Sequence, residues 1–205
     1  MALCGQVWWN LLRCPRPGWG QVRAVAVTSR IAYLVTGNPG SGKSTLAHEL
    51  SSRELVAIDP DHDPDLSYWE DAAGTRTMPA DGPNDPDQEW LESHRWVWSR
   101  VRMEERIAEH VGPVFVRGIA MNLDQFLEMF DRVFLLRIDE GTQEARLVAH
   151  DTQSPPGRNE AERDQIRKGR AIFEAHLLTV GAIALNGAAP IAEIADELLA
   201  LVTSN

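Results

Sequence analysis

The sequence predicts an α/β fold of three layers, with a five-stranded, mostly parallel sheet between two layers of helices. Three observations predict it. Short apolar runs rich in β-formers alternate with stretches of helical periodicity from residue 30 onward. The first of these runs leads into GNPGSGKST, residues 37–45, a glycine-rich loop whose chemistry needs a strand before it and a helix after it. A length of 205 residues suits one such domain with a sizeable core. No internal repeat or low-complexity tract interrupts this plan.

Residues 1–29 stand apart from the domain at 30–205. They hold three of the seven tryptophans, Trp8, Trp9 and Trp19, and then a Pro/Gly-rich break. The apolar run is interrupted by Gln6 and Asn10, lacks an early charge, and is too short to span a bilayer. An accessory, poorly ordered extension is expected, with an amphipathic anchor or partner helix as the alternative. Cys4 and Cys14, the only cysteines, both lie here and make neither a disulfide framework nor a C-x-x-C pair. A reducing, cytoplasmic setting follows as an expectation.

Within the domain, strands are expected at residues 31–37, 55–59, 113–119, 132–139 and 181–187. Helical patterns follow the first strand and then occupy residues 90–110, 123–130, 142–149, 160–179 and 190–201. An insertion over about 60–102 and a lid over about 150–163 interrupt the regular alternation. In the insertion, ten Asp or Glu face one basic residue, Arg76, between Asp59 and Glu89. That segment accounts for nearly all of the net charge of −10, which argues against nucleic acid as a partner. A solvated acidic loop explains most of these carboxylates. Asp59, Asp61, Asp63, Asp65 and Glu70 also match calcium-loop positions, but Pro64 stands where the turn needs glycine and a strand precedes the loop.

The glycine-rich loop is expected to bind a nucleotide. Gly37, Gly42, Lys43 and Ser44 hold the defining positions of G-x-x-x-x-G-K-[ST]. Glycines let the backbone curl so that N–H groups point at an anion, and the following helix adds its positive dipole end. The cradle runs through Asn38, Pro39, Gly40 and Ser41 to Thr45. Lys43 can reach the β and γ phosphates of a nucleotide, and the Ser44 hydroxyl can ligate Mg²⁺.

Ligands gather at the carboxyl ends of parallel strands, so those ends are read next. The second expected strand ends in Asp59 and Asp61, suited to a magnesium hydration shell or to a proton from an acceptor hydroxyl. A turn cap is the plainer role for Asp59. The third ends in Arg117 and Gly118, a cation and an unhindered backbone that suit an acceptor carboxylate or phosphate, with a surface ion pair as the plainer role for Arg117. Arg146, Arg158, Arg163 and Arg167 are available to a lid; Arg158 follows Pro155-Pro156-Gly157 at its tip and is the first choice to close on the phosphates. Tyr68, Trp69, Trp90, Trp96 and Trp98 lie in or near the insertion, where they either stack on a flat ring or a sugar face or pack in the core. Trp90, Leu91, Val97, Val101 and Ile107 read as a helical core stripe, and His94 as structural.

GNPGSGKST, the Asp-x-Asp of IDPD, the arginine-bearing lid and the closing LNGAAPIAEIADELL together resemble the small P-loop kinases, in particular their shikimate-kinase-like and nucleotide-kinase-like members. The resemblance covers about residues 30–203 and is strongest in the phosphate loop. It implies that Asp59 sits near Mg²⁺ and Asp61 near the acceptor, and that Gly187 and Pro190, in the turn after the last strand, contact adenine. It also implies that an insertion after strand two covers the acceptor. Two family features are missing, a triple-glycine loop after strand three and the Asp-Gly-x-x-Arg of nucleotide kinases. The expectation is an ATP- and Mg²⁺-dependent phosphotransferase acting on a small-molecule acceptor, with no nucleic-acid or membrane partner. An NTP-gated regulatory ATPase is the alternative.

Overall fold

The computed structural model describes residues 30–78, 88–149 and 160–204. The extension at residues 1–29, the lid tip and Arg158 lie outside them. Five parallel strands form the main sheet in the order β2-β6-β1-β7-β8. These are β1 (Ala32–Thr36), β2 (Val56–Ile58), β6 (Val114–Arg117), β7 (Arg132–Arg137) and β8 (Ile183–Asn186). Every strand expected for the main sheet is present, and all of its pairings are parallel. β1 lies at the centre and is buried along its whole length, as its uninterrupted apolar run requires.

Side-chain alternation along the strands divides the core in two. Tyr33, Val35, Phe115, Phe134 and Leu136 face one side, where Leu46 and Leu50 of α1 (Lys43–Ser52) and Ile194 and Leu198 of α6 (Ile191–Thr203) cover them. Leu34, Val114, Val116 and Leu135 face the other, under Met103 and Ile107 of α3 (Arg100–Ala108) and Phe173 and Leu177 of α5 (Glu160–Thr179). Together these make three layers. α4 (Glu140–Ala149) joins β7 to the region before α5.

Two expected helices are corrected. Residues 90–110 do not form one helix: α2 (Gln88–Ser93) stops, β5 (Arg95–Trp98) intervenes, and only then does α3 begin. The run Arg95-Trp96-Val97-Trp98 is aromatic and β-branched, and such residues pack well on a pleated surface. It pairs antiparallel with β3 (Ser67–Glu70), which also pairs with β4 (Arg76–Thr77), making a second, three-stranded sheet. Trp69 and Trp96 are cross-strand partners, edge to face with ring centroids 5.3 Å apart. Val101, expected in the core stripe, is exposed, whereas Val97 and Trp98 are buried from the strand. Residues 123–130 are two short 3₁₀ turns, Leu123–Gln125 and Leu127–Met129, that place Leu123 and Phe126 in the core.

The small sheet is fastened to the main one by Asn122. Its amide nitrogen donates to Trp98 O at 2.9 Å and its Oδ1 accepts from Trp98 N at 3.0 Å, replacing a missing strand partner. Met121 N donates to Trp96 O at 2.9 Å beside it. The sheet therefore stands over the loop that leaves β6.

Candidate active site

The phosphate loop links β1 to α1. Gly37 has φ +154°, and a Cβ there would meet Leu136 O at 2.6 Å and Ser41 Oγ at 2.7 Å, so only glycine fits. α1 begins with neither a side-chain cap nor an acidic residue in its first turn. The N–H groups of Lys43, Ser44 and Thr45 are thus open to an anion. Ser41 Oγ is buried with no protein partner. Lys43 Nζ donates to Gly37 O at 2.7 Å and Asn38 O at 3.1 Å, so its charge already lies on the cradle. Burial lowers the Lys43 amine to about 8, with Asp61 opposing the fall and Arg117 adding to it. Open donors, an orphaned hydroxyl and a cation folded onto the loop all fit a phosphate chain.

Side chains behind the loop hold its shape. Gln143 Nε2 donates to Pro39 O at 2.9 Å. Arg146 Nη1 reaches Gly40 O at 3.2 Å, Ser41 O at 3.4 Å and Gly187 O at 3.0 Å. Arg146 therefore ties the loop to the turn after β8, where Gly187 is buried and Pro190 is exposed. Arg163 and Arg167 form ion pairs with Glu144 of α4, at 3.2 and 3.3 Å.

The ends of β2 and β6 bring Asp59, Asp61, Arg117 and Gly118 together. Arg117 is buried; its guanidinium pairs with Asp59 and, at 3.5 Å, with Asp61. Asp59 Oδ1 also accepts from Asp61 N at 3.1 Å, capping the turn Pro60–His62, and its Oδ2 lies 2.7 Å from His62 Nδ1. Asp61 accepts from Trp96 Nε1 at 3.2 Å. Burial pushes the Asp61 carboxyl up, against Trp96, Lys43 and His62, which pull it down. Burial also brings Arg117 down to about 10, which leaves it charged at neutral pH. Gly118 has φ +146°, and a Cβ there would lie 2.8 Å from Trp98 Cζ2.

Solved structures share this fold. Shikimate kinase from Acinetobacter baumannii, in complex with shikimate, superposes with a TM-score of 0.56 at 18% identity, over 86% of this chain and 96% of that one. The fold is that of the small P-loop kinases. Shikimate kinase from Bacteroides thetaiotaomicron matches with a TM-score of 0.50 at 17% identity, over 84% and 98% of the two chains. A gluconokinase from Sinorhizobium meliloti 1021 matches with a TM-score of 0.49 at 20% identity, over 85% and 93%. No family model and no curated protein sequence matches the chain.

In this P-loop kinase fold the donors available to Mg²⁺ are few. Ser44 is exposed at the head of α1, and Asp59 is engaged by Arg117 and His62. No group of three metal-ligating side chains occurs among the described residues. A magnesium ion that keeps several waters and takes its remaining ligands from one hydroxyl and the nucleotide fits this set. None of the described helices is long and apolar enough to cross a membrane. Several residues at the site had no distinct signal in the sequence. Trp96 was legible only as an aromatic, and Gln143 and Glu174, whose Oε1 accepts from Asn38 Nδ2 at 3.3 Å, only as polar positions on a helix. Arg146, grouped by sequence with the lid, instead braces the loop.

Proposed function

We propose that the protein is a Mg²⁺-dependent phosphotransferase that moves the γ-phosphoryl group of ATP to a small-molecule acceptor. The observation that carries this reading is the Asp59–Arg117–Asp61 cluster at the ends of β2 and β6, close enough to the cradle for Asp61 and Arg117 to act on the Lys43 charge. A nucleotide-binding site alone has no need of a second charged cluster there.

In this reading Gly37 to Thr45 hold the phosphates and Lys43 turns from its loop carbonyls to the β and γ oxygens. Ser44 would hold Mg²⁺ with Asp59 on its hydration side, and the ion would supply charge neutralisation. Gly187 and Pro190 line the adenine. Asp61 orients the acceptor hydroxyl. The acceptor oxygen forms a bond to γ-phosphorus as the bond to the β–γ bridging oxygen breaks, and the hydroxyl proton passes to Asp61. A carboxyl raised by burial suits that proton better than an ordinary aspartate. Arg117 holds Asp59 and Asp61 in place and, with Gly118, borders the acceptor; Arg158 closes from the lid. Catalysis is mostly positioning and electrostatics.

The test is ATP consumption on addition of a metabolite pool, with phosphorylated products identified by mass spectrometry. A new phosphorylated product, lost in Lys43→Ala, is expected. Slow ATP hydrolysis that no acceptor stimulates would instead favour a nucleotide-gated regulatory protein.

A further inference from the structure

The second sheet turns one face toward the Asp59–Arg117–Asp61 cluster. Ser67 pairs with Trp98 and Trp69 with Trp96, so alternation puts these four side chains on the same face. Two contacts fix its direction. Trp96 Nε1 donates to Asp61 Oδ1 at 3.2 Å, and Trp98 Cζ2 lies 2.8 Å from where a Gly118 Cβ would stand. The arginines of this sheet lie on its other face. There Arg95 pairs with Glu70, and Arg76 sits over the Tyr68 ring at 5.2 Å.

The charge at this place is negative. Arg117 is shared between Asp59 and Asp61, so two carboxylates stand against one guanidinium. β2, β6 and the inward face of the second sheet bring no further arginine or lysine to it. The stretch from Asp59 to Glu89 adds ten Asp or Glu against one basic residue, a field that draws in cations and turns anions away. The aromatic face suits a cation as well. Trp69 and Trp96 are half-buried and meet edge to face at 61°, with ring centroids 5.3 Å apart. Two indoles at a corner beside a carboxylate attract an ammonium group. The same face also holds groups in reserve for oxygen. Trp98 Nε1 and Ser67 Oγ are buried with no partner among the described residues. Nε1 shares its ring edge with the Cζ2 that lies against Gly118, and the Gly118 Cβ position is 3.7 Å from both Asp61 oxygens.

We propose that the acceptor is a hydroxylated amine, an amino alcohol or amino sugar, whose hydroxyl meets Asp61 and whose ammonium lies against the Trp69–Trp96 corner. The assignment rests on the phosphotransferase reading and names its acceptor by charge. Shikimate, bound by the Acinetobacter baumannii kinase of the same fold, is by contrast a carboxylate. In the transfer the hydroxyl oxygen bonds to the γ-phosphorus, the bridging oxygen leaves with ADP, and the hydroxyl proton passes to Asp61. The ammonium keeps its charge throughout.

The test sets amines against uncharged partners of similar shape, using the full chain with Mg²⁺. Choline is compared with dimethylbutanol, its uncharged carbon analogue, and glucosamine with glucose; shikimate and gluconate are the anions. Calorimetry with ADP present reads binding, and ADP release from ATP reads transfer. At least one amine is expected to bind about tenfold more tightly than its partner, the scale of a desolvated cation–π contact, and to stimulate ADP release. Trp96→Leu and Trp69→Leu should each remove most of that preference and keep ADP affinity within about twofold. The wild-type comparison needs no variant, so it reports even where a tryptophan replacement fails to fold. Amines that bind no better than their partners, or tryptophan variants that retain the preference, overturn the proposal. So does ADP release driven by shikimate or gluconate and not by the amines, a result that leaves the phosphotransferase reading standing. Amine preference without stimulated ADP release is the opposite outcome: the cation site survives and the phosphotransferase reading falls.

Discussion

The two sides of the crevice are built on opposite plans. On the phosphate side the backbone supplies the donors, which are left open, while Gln143, Arg146 and Glu174 brace the loop from behind. On the side proposed for the acceptor the side chains satisfy one another: Arg117 takes Asp59 and Asp61, Asp59 also takes His62, and Asp61 takes Trp96. An incoming phosphate chain needs only Lys43 to change partners. An acceptor must exchange contacts with a closed set of ion pairs, and breaking a buried pair without replacement is costly. Nucleotide binding should therefore be tolerant and acceptor binding selective, because only a ligand that supplies the lost bonds is admitted.

The sharpest way to break this comparison is to disable one side and look for survival of the other. Lys43→Ala should weaken ATP–Mg²⁺ binding and lower turnover by on the order of a thousandfold, as loss of a phosphate clamp does. The fold should persist, checked by circular dichroism, because the lysine bonds only to loop carbonyls. On the other side, Asp61→Asn should keep ATP affinity within a few-fold and lose on the order of a hundredfold in transfer rate, as expected for a positioned base. Titration calorimetry with ATP and single-turnover assays with the acceptor measure the two effects. Normal transfer by Asp61→Asn would shift the acceptor role to Arg117 or to the second sheet.

The two plans also differ in how far they could be read from the sequence. The phosphate loop was legible because its shape depends on local backbone curl, which leaves glycines at fixed spacing. The five main strands were legible as continuous apolar runs, a pattern forced by burial on both faces. The small sheet was not. Trp96 and Trp98 fit a helix pattern as well as a strand, and pairing with Ser67–Glu70 is a long-range event that local periodicity does not report. Glu174 was hidden for a similar reason. An acid on a charged helix looks solvated until Arg137 and Asn38, distant in sequence, close around it.

A milder perturbation sharpens the contrast. Gly118→Ala places a Cβ against Trp98 in a backbone conformation that alanine adopts poorly. The small sheet must shift, and with it Trp96 and Asp61. Acceptor KM is expected to rise about tenfold, in keeping with the sensitivity of positioned groups to small displacements. ADP affinity should not change. A parallel loss of ADP binding would show that the two sides move as one unit.

A further expected effect concerns Lys43 in the absence of nucleotide. Its amine lies at about 8 in the folded chain, below the ordinary 10.5, because burial disfavours the charged form. Between those two values the unfolded chain binds the proton more readily than the folded one. Stability then rises with pH across that window, since the slope follows the excess of protons bound by the unfolded state. Below the window the full penalty of a buried ammonium is present; above it the penalty is gone. Lys43→Met removes the group, so wild-type stability relative to the variant should climb from pH 8 to pH 10.5 and stay level below. Paired denaturant titrations of the nucleotide-free proteins read that difference directly. A flat difference across the window would mean that the amine is solvated, and the phosphate side would then be wetter and less preorganised than its open donors imply.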